Sequence, residues 1–301
     1  MDAWIALSVA AAAFQTLRFM LQKQLSTATL SAGGATFSRF FYSTPIILSL
    51  TTGYLFWQNA SLPSLSLAFF LYAFAGGLTQ ILATWCVVAL FQQRNFAVGI
   101  TLKKTEVLQT ALVGFIVLGD PVSLTGFLAI LTGFLGVLFL SRKNGPATGR
   151  LLGSYLNRGT ALGLLSGVFF AVSAVGYRGA TLEIQSDDAL LRSSVTLSLV
   201  TLGQTAGMAL WLIRREAGEI TRVIAARKTA LWIGLSGMAG SLCWFTAFTL
   251  HNAAYVFAVG QVEVIFSIAA SALFFHEKIT RLEFIGIAFI TLSVVALVFA
   301  V

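Results

Sequence analysis

Long apolar runs broken by short polar clusters dominate this chain, and the spacing of the breaks predicts its elements. Cutting at the polar and turn-forming clusters leaves ten apolar stretches: 3–21, 34–57, 66–91, 97–118, 123–141, 160–180, 191–213, 230–250, 254–275 and 282–301. Each is close to the roughly 20 residues that a helix needs to cross a bilayer. Composition agrees, with 57% of residues hydrophobic and 10% charged, where a soluble domain has about a quarter charged. The expected fold class is an all-α polytopic membrane protein with ten transmembrane helices.

The pattern repeats. Residues 94–120, RNFAVGITLKKTEVLQTALVGFIVLGD, align with 251–277, HNAAYVFAVGQVEVIFSIAASALFFHE, at a constant offset of 157. Asn95 falls on Asn252, Ala97 on Ala254, Glu106 on Glu263, Val107 on Val264 and Asp120 on Glu277. Weaker pairs keep the same order: Arg39 with Arg192, Gly126 with Gly286, and Gly133 with Ser293. The expected organisation is a first five-helix repeat over 1–141, a basic linker over 142–159 and a second five-helix repeat over 160–301. Five spans is an odd number, so the second repeat enters the membrane inverted. Such repeats enclose a central cavity with substrate near the midplane.

Net charge is +8, which in a soluble protein would suggest nucleic acid. Here thirteen basic residues, from Lys23 through Arg142, Lys143 and Arg215 to Arg281, fall in alternate loops, and Asp2, Asp120, Glu183, Asp187 and Asp188 fall on the other side. By the positive-inside rule the basic side is cytoplasmic. Both termini are then outside the cell's inner (plasma) membrane, the partner is the lipid bilayer, and nucleic acid is not expected. Cys86 and Cys243 lie within apolar stretches and read as small buried hydrophobes, not as a disulfide.

Candidate chemistry follows from polar residues inside the spans. An ionisable group at mid-span is expensive in lipid and marks a site by default. Gly99, Lys103, Glu106 and Thr110 share one helical face, as do Gly260, Glu263, Ser267 and Ser271. Lys103 and Glu106 either line a cleft or neutralise each other and lock helices. Glu263, with no basic residue one turn away, is either protonated or paired with a cation on another helix. Ser8, Gln15 and Gln22 in the first span, Gln80, Thr84 and Trp85 in the third, Ser166, Phe170, Ser173 and Tyr177 in the sixth, and Ser241, Trp244 and Phe245 in the eighth add polar and aromatic groups. The first, third, fourth, sixth, eighth and ninth spans should therefore surround the cavity, with the others peripheral. For an amino acid, Lys103, Gln15 and Gln80 would meet the carboxylate, and Glu106 or Glu263 with Ser241 the ammonium. Trp85, Phe170, Tyr177, Trp244, Phe245 and Tyr255 would stack on the side chain, with Thr84 and Ser173 completing the set.

Other signals are set aside. HEKIT, 276–280, has Thr280 where a zinc site needs a second histidine, and no G-x-x-x-x-G-K-[ST] is present. No metal, cofactor or catalytic residue is expected, since His251 and His276 sit at span ends. Gly163-x-x-x-Gly167 and Gly203-x-x-x-Gly207 read as close-packing faces. Arg178 and Arg192 read as surface partners of Glu183, Asp187 and Asp188.

The segments around Glu106 and Glu263, the acids Asp120 and Glu277, Arg39, and the glycines of the fifth and tenth spans together resemble the ten-helix EamA type of the drug/metabolite transporter superfamily. Within it the chain is most similar to YddG-like aromatic amino-acid exporters. Val107 and Val264 stand where that family commonly has proline. The resemblance implies a transporter, not an enzyme, exporting amino acids of aromatic or bulky neutral type by alternating access, for which a monomer suffices. Other metabolites or drugs are the alternative cargo, and a membrane enzyme or sensor without flux is the alternative class. Proton coupling at Glu263 and passive facilitation both remain open.

Overall fold

The computed structural model describes residues 2–91, 103–141, 158–275 and 281–300. These form helices α1 (Ala3–Ala28), α2 (Ala32–Trp57), α3 (Leu67–Phe91), α4 (Glu106–Leu118), α5 (Leu124–Ser141), α6 (Arg158–Leu182), α7 (Ala189–Arg215), α8 (Glu219–Ala225), α9 (Arg227–Leu250), α10 (Ala253–Val259), α11 (Val262–Phe275) and α12 (Arg281–Ala300). No strand occurs among the described residues. Five helices, α1, α3, α6, α7 and α9, are long and apolar enough to cross a membrane, and Glu106–Leu118, Leu124–Leu138, Ala253–Phe266 and Phe284–Phe299 are shorter apolar segments. The protein is an all-helical, multi-pass membrane protein. Asn95, Ala97, Gly99, the linker over 142–157 and HEKIT lie outside the described residues, as do the side chains of Ser267 and Ser271.

Several boundaries differ from the apolar pattern for physical reasons. The first helix continues beyond residue 21 because Gln22 is buried with its amide satisfied, its Nε2 donating to Ala35 O at 2.9 Å. The ninth stretch is not one helix: it divides into α10 and α11 at Gly260 and Gln261, where a Cβ on Gly260 would run into the Trp244 ring. On the other side the chain turns at Lys104 and Thr105 before α4 begins. Both interruptions form without proline. Gly119, at φ 67°, closes α4 with a left-handed cap of the kind glycine adopts without penalty.

A short helix, α8, stands where a loop was expected. Its Glu219 is fully buried, accepts from the Ser31 amide at 2.6 Å and pairs with Arg222 at 2.6 Å. Gly34 leaves the space that the Glu219 side chain fills. Glu216 accepts from the Ser31 hydroxyl, so the start of α2 is tied to the α7–α8 connection.

Main packing pairs are α3 with α6, α1 with α9, α5 with α12, and α2 with both α7 and α9. The second span is therefore not peripheral: α2 buries Phe37, Phe40 and Arg39 between other helices. Along α5 and α12 backbones meet directly, since a Cβ on Gly136 would lie 2.8 Å from Gly286 O and one on Gly133 2.7 Å from Ser293 Oγ. Ser293 Oγ also donates to Ala129 O at 2.6 Å. Gly167 packs closely too, against Gln109 and Lys103 O. Gly203 and Gly207 do not: both are exposed with open space around them, so that pair is no packing face. Cys86 and Cys243 are half-buried free thiols, less enclosed than expected.

Filling the seam should be costly where filling the open face is not. Gly136→Val is expected to destabilise the protein by about 1–3 kcal/mol, the usual cost of overpacking, whereas Gly203→Val should leave the unfolding midpoint unchanged. Thermal unfolding of the purified protein in detergent reads both.

Candidate functional site

The turn at Lys104 and Thr105 and the break at Gly260 and Gln261 each place a carboxylate at the start of a helix. Glu106 opens α4 and Glu263 lies in the first turn of α11, where the amide end of a helix favours negative charge. Lys103 and Lys104 stand at the turn before α4. Lys103 Nζ lies 2.9 Å from Glu106 Oε1 and 3.9 Å from Glu263 Oε2. Lys104 Nζ lies 2.6 Å from Glu263 Oε2, and Gln15 Nε2 of α1 donates to the same oxygen at 3.0 Å. Glu263 is thus paired with a cation on another segment, which decides between the two states open to it. The pairs span α1, α4 and α11 in one buried group. Glu106 Oε2 is buried and accepts no hydrogen bond among the described residues.

Around this group lie two arginines. Arg18 of α1 is 2% exposed and donates from Nη1 to Gln22 Oε1 at 2.8 Å. Arg39 of α2 is 4% exposed and donates to Thr84 Oγ1 at 3.1 Å and to Ser241 Oγ at 2.8 Å. Aromatic faces line the cations: Lys103 Nζ sits 4.9 Å from the Phe170 ring centre, and the Arg18 guanidinium 4.2 Å from that of Phe19. Such contacts gain strength when desolvated.

The residues expected from sequence divide into three groups. Gln15, Lys103, Glu106, Glu263 and Phe170 meet in the charged group, with Thr84 and Ser241 joined to it through Arg39. A neutral network adjoins: Tyr177 donates to Gln80 Oε1 at 2.8 Å, Gln204 Nε2 donates to the same oxygen at 3.0 Å, and the Tyr177 ring lies 4.1 Å from Phe245. Gln80 is committed there and makes no bond to Lys103. Ser173 is buried one turn before Tyr177. Trp244 borders the α10–α11 interruption, with Phe248 at 5.7 Å and Phe257 at 5.3 Å, and its Nε1 is buried without a partner among the described residues. Trp85 instead meets Trp211 at 4.7 Å, and Tyr255 accepts from the Ser123 amide at 2.9 Å beside His251. Neither of these two touches the charged group.

Sequence reading missed Arg18, Lys104 and Gln204. Arg18 was accessible to the spacing argument, being three residues after Gln15 and four before Gln22. Lys104 was not, because it lies one position off the Lys103–Glu106 face and reaches Glu263 only through the turn.

Arg178 is a further correction. It does not pair with Glu183, Asp187 or Asp188 at the surface. Its Nε and Nη2 grip Asp120 at 2.6 and 3.1 Å, and its Nη1 donates to Phe248 O at 2.7 Å and His251 O at 2.9 Å. The fork of a guanidinium can hold a carboxylate and helix-end carbonyls together, which ties α4, α6 and α9 at one end of the bundle. Burial, then the adjacent Arg178 charge, push the His251 imidazole below its ordinary value, and Trp4 stacks on it at 4.4 Å. Asp188 is used otherwise, capping α7 and accepting from the Tyr54 hydroxyl at 2.5 Å. Arg192 donates to Thr181 O at 2.7 Å.

Residues 157–299 match the model of the EamA-like transporter family. Over 130 residues the chain is 30% identical to an uncharacterized transporter in the cobO 3' region of Sinorhizobium sp., a stretch covering 42% of this chain and 86% of that relative. A solved crystal structure that is 14% identical superposes with a TM-score of 0.71, covering 98% of this chain and 95% of the other. That likeness extends the shared helical arrangement over nearly the whole chain.

Removing one member of the Lys104–Glu263 pair should be far worse than removing both. Lys104→Met alone is expected to cost about 1.5–3 kcal/mol by removing the nearest cation from a buried carboxylate that keeps Gln15 at 3.0 Å and Lys103 at 3.9 Å, and adding Glu263→Leu should recover most of it. A double-mutant cycle of unfolding free energies checks this, and additive losses would contradict the coupling.

Proposed function

Because this chain belongs to the EamA-like transporter family of the drug/metabolite transporter superfamily, we propose that the buried Lys103–Glu106 and Lys104–Glu263 group is the substrate site of an amino-acid exporter working by alternating access. That the protein is a membrane transporter follows from the family. Cargo and mechanism are the proposal, and the observation that carries them is a charged group shared between segments on either side of residues 142–159, deep among apolar helices.

Two inverted five-helix repeats, 1–141 and 160–301, with ten crossings, account for the packing. α3 on α6 is mirrored by α9 on α1, while α5 with α12 and α2 with α7 join equivalent members. Glu106 and Glu263 occupy equivalent places in the repeat, each just after a turn in the backbone, which fits transporters whose broken helices point at the substrate. On the charge bias of the loops, the basic side is cytoplasmic in the inner membrane and both termini face outward.

The ion pairs suggest how cargo and conformation couple. An amino acid carries both charges of such a pair, so its ammonium can approach Glu106 Oε2 while its carboxylate meets one of the buried cations in and around this group. Bound cargo then replaces contacts that hold the two repeats together, and the repeats can part without stranding a charge. A large apolar side chain would rest on Phe170 and Trp244, each ring contact being worth about 0.5–1.5 kcal/mol beyond burial. No proton step is required by this exchange, which favours passive facilitation down a gradient.

Counterflow in proteoliposomes is the test. Phenylalanine and tryptophan should block uptake of a labelled neutral amino acid better than glutamate or lysine, and Glu106→Gln should weaken that block with the protein still folded. Equal or reversed inhibition defeats the aromatic assignment. Absence of flux across a broad amino-acid panel defeats the amino-acid reading, and accumulation driven by an imposed pH gradient defeats the passive one.

A further inference from the structure

Within the substrate site just proposed, on which this inference rests, we infer that Arg18 and Arg39 form the anchor for the cargo's carboxylate and that the lysines do not. Charge arithmetic leads there. Four cations, Arg18, Arg39, Lys103 and Lys104, are buried together with two carboxylates, Glu106 and Glu263. Both carboxylates already have a lysine, at 2.9 and 2.6 Å. The arginines hydrogen-bond to neutral side chains, Gln22 for Arg18, and Thr84 and Ser241 for Arg39, while the charge of Glu263, whose nearest cation is Lys104, reaches Arg18 through space. No carboxylate stands within ion-pair distance of either guanidinium among the described residues.

The two guanidinium stems lie side by side. A Cβ on Gly237 of α9 would sit 2.9 Å from Arg39 Cγ and 3.2 Å from Arg18 Cδ, so the glycine lets both stems cross α9 at one level. Two adjacent buried cations repel each other, and neither is in direct contact with a carboxylate among the described residues, so a carboxylate bridging them offsets the penalty. Arg18 engages one nitrogen and Arg39 two, whereas a guanidinium has five N–H donors in a planar fork matched to a carboxylate. Lys103 Nζ is 5.8 Å from the Phe19 ring, beside Arg18, so an aryl group attached to the carboxylate has an aromatic face next to the anchor. The site therefore selects a small aryl carboxylate, and the carboxylate matters more than the ammonium.

The experiment measures equilibrium binding to the full chain in nanodiscs, using 3-phenylpropionate, which keeps the carboxylate, and phenethylamine, which keeps the ammonium. The carboxylate should bind at least about tenfold more tightly, the scale of hydrogen bonds to a charged group. Arg18→Gln should weaken 3-phenylpropionate by about tenfold, leave phenethylamine unchanged, and be partly rescued by Arg18→Lys. Equal or tighter binding of phenethylamine overturns the anchor, and this comparison needs no variant to fold. An unchanged 3-phenylpropionate affinity in folded Arg18→Gln also overturns it, as does inorganic phosphate binding more tightly than the aryl carboxylate. Carboxylate binding without amino-acid counterflow would remove the amino-acid reading alone, and counterflow with a neutral Arg18→Gln would remove the anchor alone.

Discussion

Charge buried in an apolar bundle must find a partner, and most of what distinguishes this fold from a plain stack of hydrophobic helices follows from that demand. A lone carboxylate or ammonium in hydrocarbon costs several kcal/mol. The chain answers with a turn at Lys104 and Thr105 and a break at Gly260 and Gln261, so that Glu106 and Glu263 stand at helix starts with Lys103 and Lys104 within 2.9 and 2.6 Å. Gly260 lets the backbone turn tightly against Trp244, and Gly237 lets two arginine stems pass α9.

The ends of the bundle are tied differently from its middle. Arg178 gathers Asp120 and two carbonyls at the α9 end, and Glu219 with Glu216 gathers Ser31 at the α7–α8 connection. Both ties join segments from different halves of the chain, and both consist of a few directional bonds, unlike the continuous apolar packing of α3 on α6.

Legibility in the sequence followed the range of the forces involved. Apolar runs report burial directly, so eight of the ten expected stretches reappear as single helices, while the described part of the fourth has a turn before α4 and the ninth divides in two. The division between α10 and α11 was hidden because Gly260, Glu263, Ser267 and Ser271 also fit one face of a continuous helix, and the close approach of Gly260 to Trp244 depends on a helix from another part of the chain. The Lys103–Glu106 pair was readable, being local at i,i+3. The Lys104–Glu263 pair was not, since it depends on a turn that redirects one side chain and on the docking of helices far apart in sequence. Trp85 and Tyr255 show the converse: as apolar rings they matched a pocket by type, yet each packs elsewhere, because ring chemistry alone does not distinguish a wall from a helix contact.

The seam between α5 and α12 carries a consequence for how such a chain can diverge. Gly136 faces the backbone of Gly286 with Phe289 and Ile290 beside it, and Gly133 faces the Ser293 side chain, so an added side chain has little room at either position. A substitution that enlarges one helix is therefore tolerated only with a matching reduction across the seam. These positions should drift as linked pairs among descendants of this sequence, leaving a covariation signal between residues that share neither charge nor hydrogen-bonding side chains at Gly136 and Gly286. Gly203, facing open space, should vary independently of every one of them.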